Sequence, residues 1–322
     1  MKKFKNLLLI GCALAFVSCV DLDLTPHNKI SSGSMWTSPE LALRGMNGLY
    51  DEFYCRDLDN PQLGRQKSGM NRQGIEGLGF NTNYNVTSGP VTLLTRSTKS
   101  AGDFQLRREW QFCYTIIHSC NDALANLHEA GLDEATYERY VCEARFLRAW
   151  CYHRLNMLYQ GVPVYLEPVT NEECTKGQSS AEDVWGYVLD DLKYCIENQH
   201  YPDNTLKNNY GRPSKGAAYA LRGMVYMWKK MYQEAANDFK KVKDCGYGLF
   251  DGEYAEIFKI ENEKSKEMIF TVQFDVKSDY SDNIQRLVGA RDNYESWTQF
   301  LPNPDFVNYY CNADGSKFEW AE

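Results

Sequence analysis

The sequence predicts a mainly α-helical chain: a helical-repeat solenoid with a loop-rich, minor-β variable face. Three observations carry this. Helical periodicity sets in near residue 104 and holds to 250. Within it, residues 213–250 form a helix pair whose small and aromatic positions interlock. Two long stretches, 55–102 and 275–300, have no sustained period; the first is dense in Gly, Asn, Ser and Thr, the second in Asn, Asp and aromatics. Aperiodic stretches of that length in a compact domain tend to be functional surface.

The N-terminus sets the compartment in which the rest is read. Residues 1–5 carry three lysines, residues 7–17 are apolar apart from Gly11 and Cys12, and Ser18 precedes Cys19. This is the charged, apolar and small-residue order of a secretory signal. The apolar run is too short for a spanning helix, which needs ~20 residues. Phe16-Val17-Ser18-Cys19 resembles a bacterial lipobox, with Phe16 where Leu is usual, so residues 1–18 read as a lipoprotein signal peptide and Cys19 as the lipidation site. Two acyl chains on one residue make a stable anchor. Residues 19–34 are polar and turn-rich and read as a tether, and 35–322 as the folded domain.

Ser38-Pro39 opens the first helix, Ser38 as N-cap and Pro39 in the first turn, with Leu41, Gly45, Leu49 and Phe53 on one face. The spacing predicts helices over 107–130 and 133–159, the second stopped by Gly161-Val162-Pro163, and then a short extended piece over 162–166. A third helix spans 180–197, with Ser180 and Asp183 as a capping-box-like pair. In the pair at 213–250, Tyr219, Gly223, Tyr226, Ala235 and Phe239 fall in the aromatic and small slots of a tetratricopeptide repeat. Gly223 and Ala235 let the backbones approach, while Tyr226 and Phe239 fill the groove beside them. Such a hairpin cannot bury its face alone and stacks on its neighbours. Residues 268–274 (MIFTVQF) alternate and predict a strand. The chain stops at Glu322 without a capping element and reads as the N-terminal portion of a longer protein.

Composition narrows the function classes. The net charge is −8 and no Lys/Arg block follows the signal, which argues against a nucleic-acid partner. Aromatic residues make up 14% of the chain, with 22 Tyr and 7 Trp, side chains suited both to helix packing and to stacking on sugars. The 11 cysteines are scattered; Cys113, Cys120, Cys142 and Cys151 lie inside helical patterns and read as small buried hydrophobes. Cys113, His118 and Cys120 lack a metal-ligand spacing, and Asp275, Asp279, Asp282 and Asn283 lack a calcium-loop register.

No nucleophile elbow or phosphate loop is present. The adjacent carboxylates Glu172-Glu173 and Asp190-Asp191 point apart and read as solvated faces, not as hydrolase acids. His118, His128 and His153 read as surface or core histidines, and Glu143, Arg145 and Arg148 as ion pairs between stacked helices. The chain therefore reads as a binding protein without catalytic or cofactor residues.

Several blocks taken together resemble the SusD/RagB family. They are Cys19 with the following DLDLTP, Met35-Trp36-Thr37, Glu143-Ala144-Arg145-Phe146-Leu147-Arg148-Ala149, Leu158-Tyr159-Gln160-Gly161-Val162-Pro163, Gly211-Arg212-Pro213-Ser214-Lys215-Gly216, Glu267-Met268-Ile269-Phe270, and Pro304-Asp305-Phe306-Val307. The resemblance implies a lipid-anchored, surface-exposed protein of the outer membrane. Such a protein is built from four tetratricopeptide-like helix pairs, and it passes an oligosaccharide or similar nutrient to a SusC-like TonB-dependent transporter without a cofactor. A tetratricopeptide scaffold for protein partners is the alternative.

The candidate ligand residues come from the loop-rich stretches: Tyr84, Tyr280, Tyr294 and Trp297 as stacking faces, and Asn83, Asn85 and Arg291 as hydrogen-bonding neighbours. A ring face covers the C–H side of a pyranose while amides and guanidinium bond its hydroxyls.

Overall fold

The structure, a computed structural model, describes residues 32–51, 53, 82–84, 104–272 and 300–319. Helix α1 (Pro39–Asp51) starts where Ser38 accepts a hydrogen bond from the Leu41 N–H at 3.3 Å. Its buried row is Ala42, Gly45, Met46 and Leu49, continued by Phe53, with Leu41 only half-buried beside it. A helical turn at Ser32–Met35 lies within the stretch the sequence reads as tether. The buried Trp36, just after this turn, donates its indole N–H to Asp122 at 2.8 Å.

Helices α2 (Phe104–Asn126), α3 (Glu134–Tyr159) and α4 (Ala181–Glu197) form the centre of the stack. Helix α2 begins three residues ahead of the expected 107 and buries Cys113, Ile116, Ile117, Cys120 and Ala123, with Leu127 following in a 3₁₀ turn. Helix α3 is capped by Asp133, whose carboxylate accepts from the Thr136 N–H at 2.9 Å. It packs on α2, α4, α1 and α5, so from Tyr140 to Asn156 most of its circumference is buried. It ends on Gln160, left-handed at φ 51°, followed by Gly161 at φ +111°. A Cβ on Gly161 would lie 2.4 Å from the Ser179 carbonyl oxygen, so both the backbone angle and the close approach require glycine.

The expected extended piece at 162–166 is in no strand pair among the described residues, though the Ser179 N–H donates to the Val162 carbonyl at 3.2 Å. Side chains bond it too: Tyr114 and Asn121 from α2 donate to the carbonyls of Pro163 and Tyr165, Arg148 donates to that of Leu166, and the Tyr152 hydroxyl bonds both the N–H and the carbonyl of Tyr165.

Helices α5 (Lys215–Trp228) and α6 (Tyr232–Asp244) form the expected hairpin, with Ser214 capping α5. Ala235 is buried, and a Cβ on Gly223 would come within 2.5 Å of the Phe239 ring. The small residue therefore receives the aromatic of the partner helix, and that ring stays 41% exposed on its far side, so it does not fill a closed groove. Arg222 bridges the pair, donating to both oxygens of Asp238 at 2.7 and 2.8 Å.

Beyond α6 the predicted strand is absent over 268–272, and residues 273 and 274 lie outside the described residues. Ile269, Phe270 and Val272 pack half-buried against the helices, so the apolar pattern serves side-chain packing. Among the described residues the strands are a three-residue pair, β1 (Thr82–Tyr84) and β2 (Phe300–Pro302), antiparallel with Asn83 opposite Leu301 and Tyr84 opposite Phe300. A short helix, α7 (Pro304–Val307), follows β2. Among the described residues no helix is long and apolar enough to cross a membrane.

Candidate ligand-binding surface

The sequence draws its candidates from two stretches far apart in the chain; the β1–β2 pairing sets residues 82–84 of the first against Phe300, the last residue of the second, and the two residues after it. Asn83 and Tyr84 lie in β1. Asn85, Tyr280, Arg291, Tyr294 and Trp297 lie outside the described residues, as do the lipidation residue Cys19 and the acidic group Asp275, Asp279, Asp282 and Asn283.

A second concave feature was not anticipated from the sequence. A cleft of about 350 Å³ opens between the end of α1, the loop at 210–212 and the segment at 270–272. Its back is a polar knot. Glu143 of α3, 1% exposed, accepts from the Tyr50 hydroxyl at 2.8 Å and from Arg212 at 2.5 Å, while the other end of the Arg212 fork donates to the Asn47 amide oxygen. The guanidinium also lies over the Tyr50 ring, 5.0 Å from its centroid. Burial, with the Glu143 charge adding to it, pushes the Tyr50 hydroxyl well above its usual pKa, so it stays a donor. Burial alone would lower the Arg212 value, but Glu143 more than offsets this and holds it raised. Phe53, Phe270 and Tyr210 supply apolar walls.

Sequence reading assigned Glu143 to ion pairs between stacked helices, and its actual partners sit 69 and 93 residues away. The signal that could have located the cleft is Arg212 between Gly211 and Pro213, a long cation in a turn that precedes a helix.

The neighbouring arginines follow the ion-pair reading. Arg148 donates to both oxygens of Asp191 at 2.8 Å and Arg145 to one at 2.9 Å. Arg148 also reaches the Asn121 side chain and the Leu166 carbonyl, leaving no free fork for a ligand. One element of the sequence reading is corrected here: Asp190 is solvated, but Asp191 is 4% exposed and is the buried anion between α3 and α4. Glu172 and Glu173 are exposed, and Glu173 caps its own turn through the Thr170 N–H. Cys113 and Cys120 are buried while His118 is exposed, so the three do not converge. His153 is buried against Trp185, with ring centroids 5.6 Å apart, and burial lowers its pKa to about 4.

Stacked helix pairs define a helical-repeat scaffold. Comparison with known proteins places it further. Residues 72–227 match the SusD-like family described as starch-binding and associating with the outer membrane. SusD-like protein P25 of Formosa agariphila is 27% identical over 168 residues, 51% of this chain and 31% of that protein. The solved SusD-like protein of Bacteroides fragilis superposes with a TM-score of 0.75 at 26% identity, over 89% of this chain and 55% of that one. Surface glycan-binding protein A of Bacteroides thetaiotaomicron, solved in complex with laminarihexaose, shares the fold, with a TM-score of 0.70 at 17% identity over 86% of this chain and 62% of that one. Over these spans the chain is similar to SusD-like proteins. It spans between 31% and 53% of the length of the curated relatives it matches.

Proposed function

We propose that the protein is a nutrient-binding lipoprotein of the outer membrane. It would be anchored through Cys19, hold an oligosaccharide on its loop-rich face and pass it to a SusC-like TonB-dependent transporter. It would act by binding and not by catalysis, and with no cofactor. The observation that supports this most is the β1–β2 pairing, which sets Thr82–Tyr84 of the first aperiodic stretch against Phe300–Pro302 at the end of the second. The starch-binding description of the family and the laminarihexaose complex of a protein with the same fold favour a glycan over other nutrients. The signal and lipobox pattern supports the anchor.

Two experiments test the reading. Wild-type protein should incorporate palmitate and fractionate with membranes, and Cys19→Ala should release it; a Cys19→Ala protein that stays bound, with no label on the wild type, would overturn the anchor. Trp297→Ala should weaken binding of maltohexaose or laminarihexaose by about thirtyfold, the loss of a ~2 kcal/mol stacking anchor. Unchanged affinity in both Trp297→Ala and Tyr294→Ala would remove the proposed platform.

A second reading, a tetratricopeptide scaffold for protein partners, draws on the exposed Met224, Met227, Trp228 and Tyr232 of the α5–α6 hairpin. It predicts no oligosaccharide affinity at all.

A further inference from the structure

We infer that the cleft between the end of α1 and the 210–212 loop is a second ligand site, built for a neutral polyhydroxylated molecule of mono- or disaccharide size. The inference rests on the glycan-binding reading above and adds a site that the loop residues do not supply. Size comes first: about 350 Å³ lies at the small end of the ~300–1,000 Å³ typical of small-molecule sites, too little for a long oligosaccharide to enter whole.

Lining comes next. Tyr210 and Phe270 give ring surface, while Asn47 and Arg212 give polar groups around the same opening. This mixture matches a pyranose, which has apolar C–H faces and a rim of hydroxyls. Charge then selects the class. Among the described lining residues the one cation, Arg212, is already neutralised by the buried Glu143. Its charge is therefore committed and not offered to a phosphate or carboxylate, which favours a neutral ligand. Finally, the polar groups are fixed in advance. Arg212 is clamped between Glu143, Asn47 and the Tyr50 ring, so little side-chain freedom remains to be lost when a ligand binds.

The test is calorimetric titration of the protein with maltose and laminaribiose, α- and β-linked glucose disaccharides, beside the corresponding hexaoses. The variants are Asn47→Ala and Tyr210→Ala in the cleft and Trp297→Ala in the loops, each checked for an unchanged melting temperature. The result expected is disaccharide affinity that survives Trp297→Ala and falls at least tenfold in each cleft variant that folds. Asn47→Ala keeps the test alive if Tyr210→Ala does not fold. Disaccharide binding that is lost in Trp297→Ala and untouched by the cleft variants would overturn the cleft site and leave the glycan reading standing. Binding of hexaoses but of neither disaccharide would do the same. No binding of any of the four sugars would overturn both.

Discussion

The α2–α4 stack and the α5–α6 hairpin are built from the same kind of repeat, yet they keep their apolar residues differently. In α2–α4 nearly every large side chain that faces a neighbour is buried, and the ionic groups between the helices are buried with them: Asp191 between Arg145 and Arg148, and Glu109 beside Arg154. In α5–α6 one face is packed through Ala217, Ala218, Leu221, Val225 and Ala235, while Met224, Met227, Trp228, Tyr232 and Phe239 remain 41–60% exposed. The next segment repeats this, with Leu249, Tyr254, Phe258 and Ile260 at 73–80%. One unit is a closed core whose polar contacts are internal; the other presents apolar surface. Substitutions should therefore be costly in the first and nearly neutral on the outer face of the second.

The largest effect is expected at Asp191. Removing it leaves Arg148 buried without its anion, so Asp191→Ala should cost about 3–5 kcal/mol, read as a fall in the denaturant midpoint. A loss below about 1 kcal/mol would mean that this pair is solvated and that the stack is no more closed than the hairpin. His153 comes next. Its folded pKa of about 4 lies below the ordinary 6.5, so the unfolded chain binds the proton first and stability is lost as pH falls from about 6.5 towards 4. The shift corresponds to roughly 3 kcal/mol at most. His153→Phe should flatten that part of the stability–pH curve, and a curve unchanged by the substitution would place the histidine in water.

Within the hairpin, Ala235→Leu should overpack the contact of α6 with α5 and cost ~1–3 kcal/mol. An unchanged melting temperature would contradict the close pairing of the two helices. The smallest effect is reserved for the open face: Met224→Ser and Trp228→Ser should each change stability by no more than ~0.5 kcal/mol while lowering the binding of a hydrophobic dye. A destabilisation of 2 kcal/mol would show that these side chains are covered after all.

The helical architecture was legible because its causes are local. Caps at Ser38 and Ser180, the stop at Gly161 and the tetratricopeptide slots around Gly223 and Ala235 are each set by residues within a few turns of one another, and the structure has them where the pattern puts them. The misreadings concern partners distant in sequence. Asp191 looked solvated because nothing near it in the chain is cationic on the same face, and its two arginines lie 43 and 46 residues earlier. The 268–272 pattern looked like a strand because alternation reports which side chains are buried, not whether a backbone edge lies alongside. The cleft is not legible in the sequence because it is assembled from α1, α3, the 210–212 loop and 270–272, and no local pattern says that these segments converge. The loop candidates rested on composition alone, and of them only Asn83 and Tyr84 fall among the described residues.

The function proposed here is tested most directly by native electrophoresis of the protein through gels containing dissolved starch or laminarin, beside a plain gel and a non-binding control protein. A glycan-binding protein of this kind should be retarded in at least one polysaccharide gel, and less so as Trp297→Ala or Tyr294→Ala. Migration identical to the control in both gels, and in a wider panel of soluble glycans, would contradict the glycan reading.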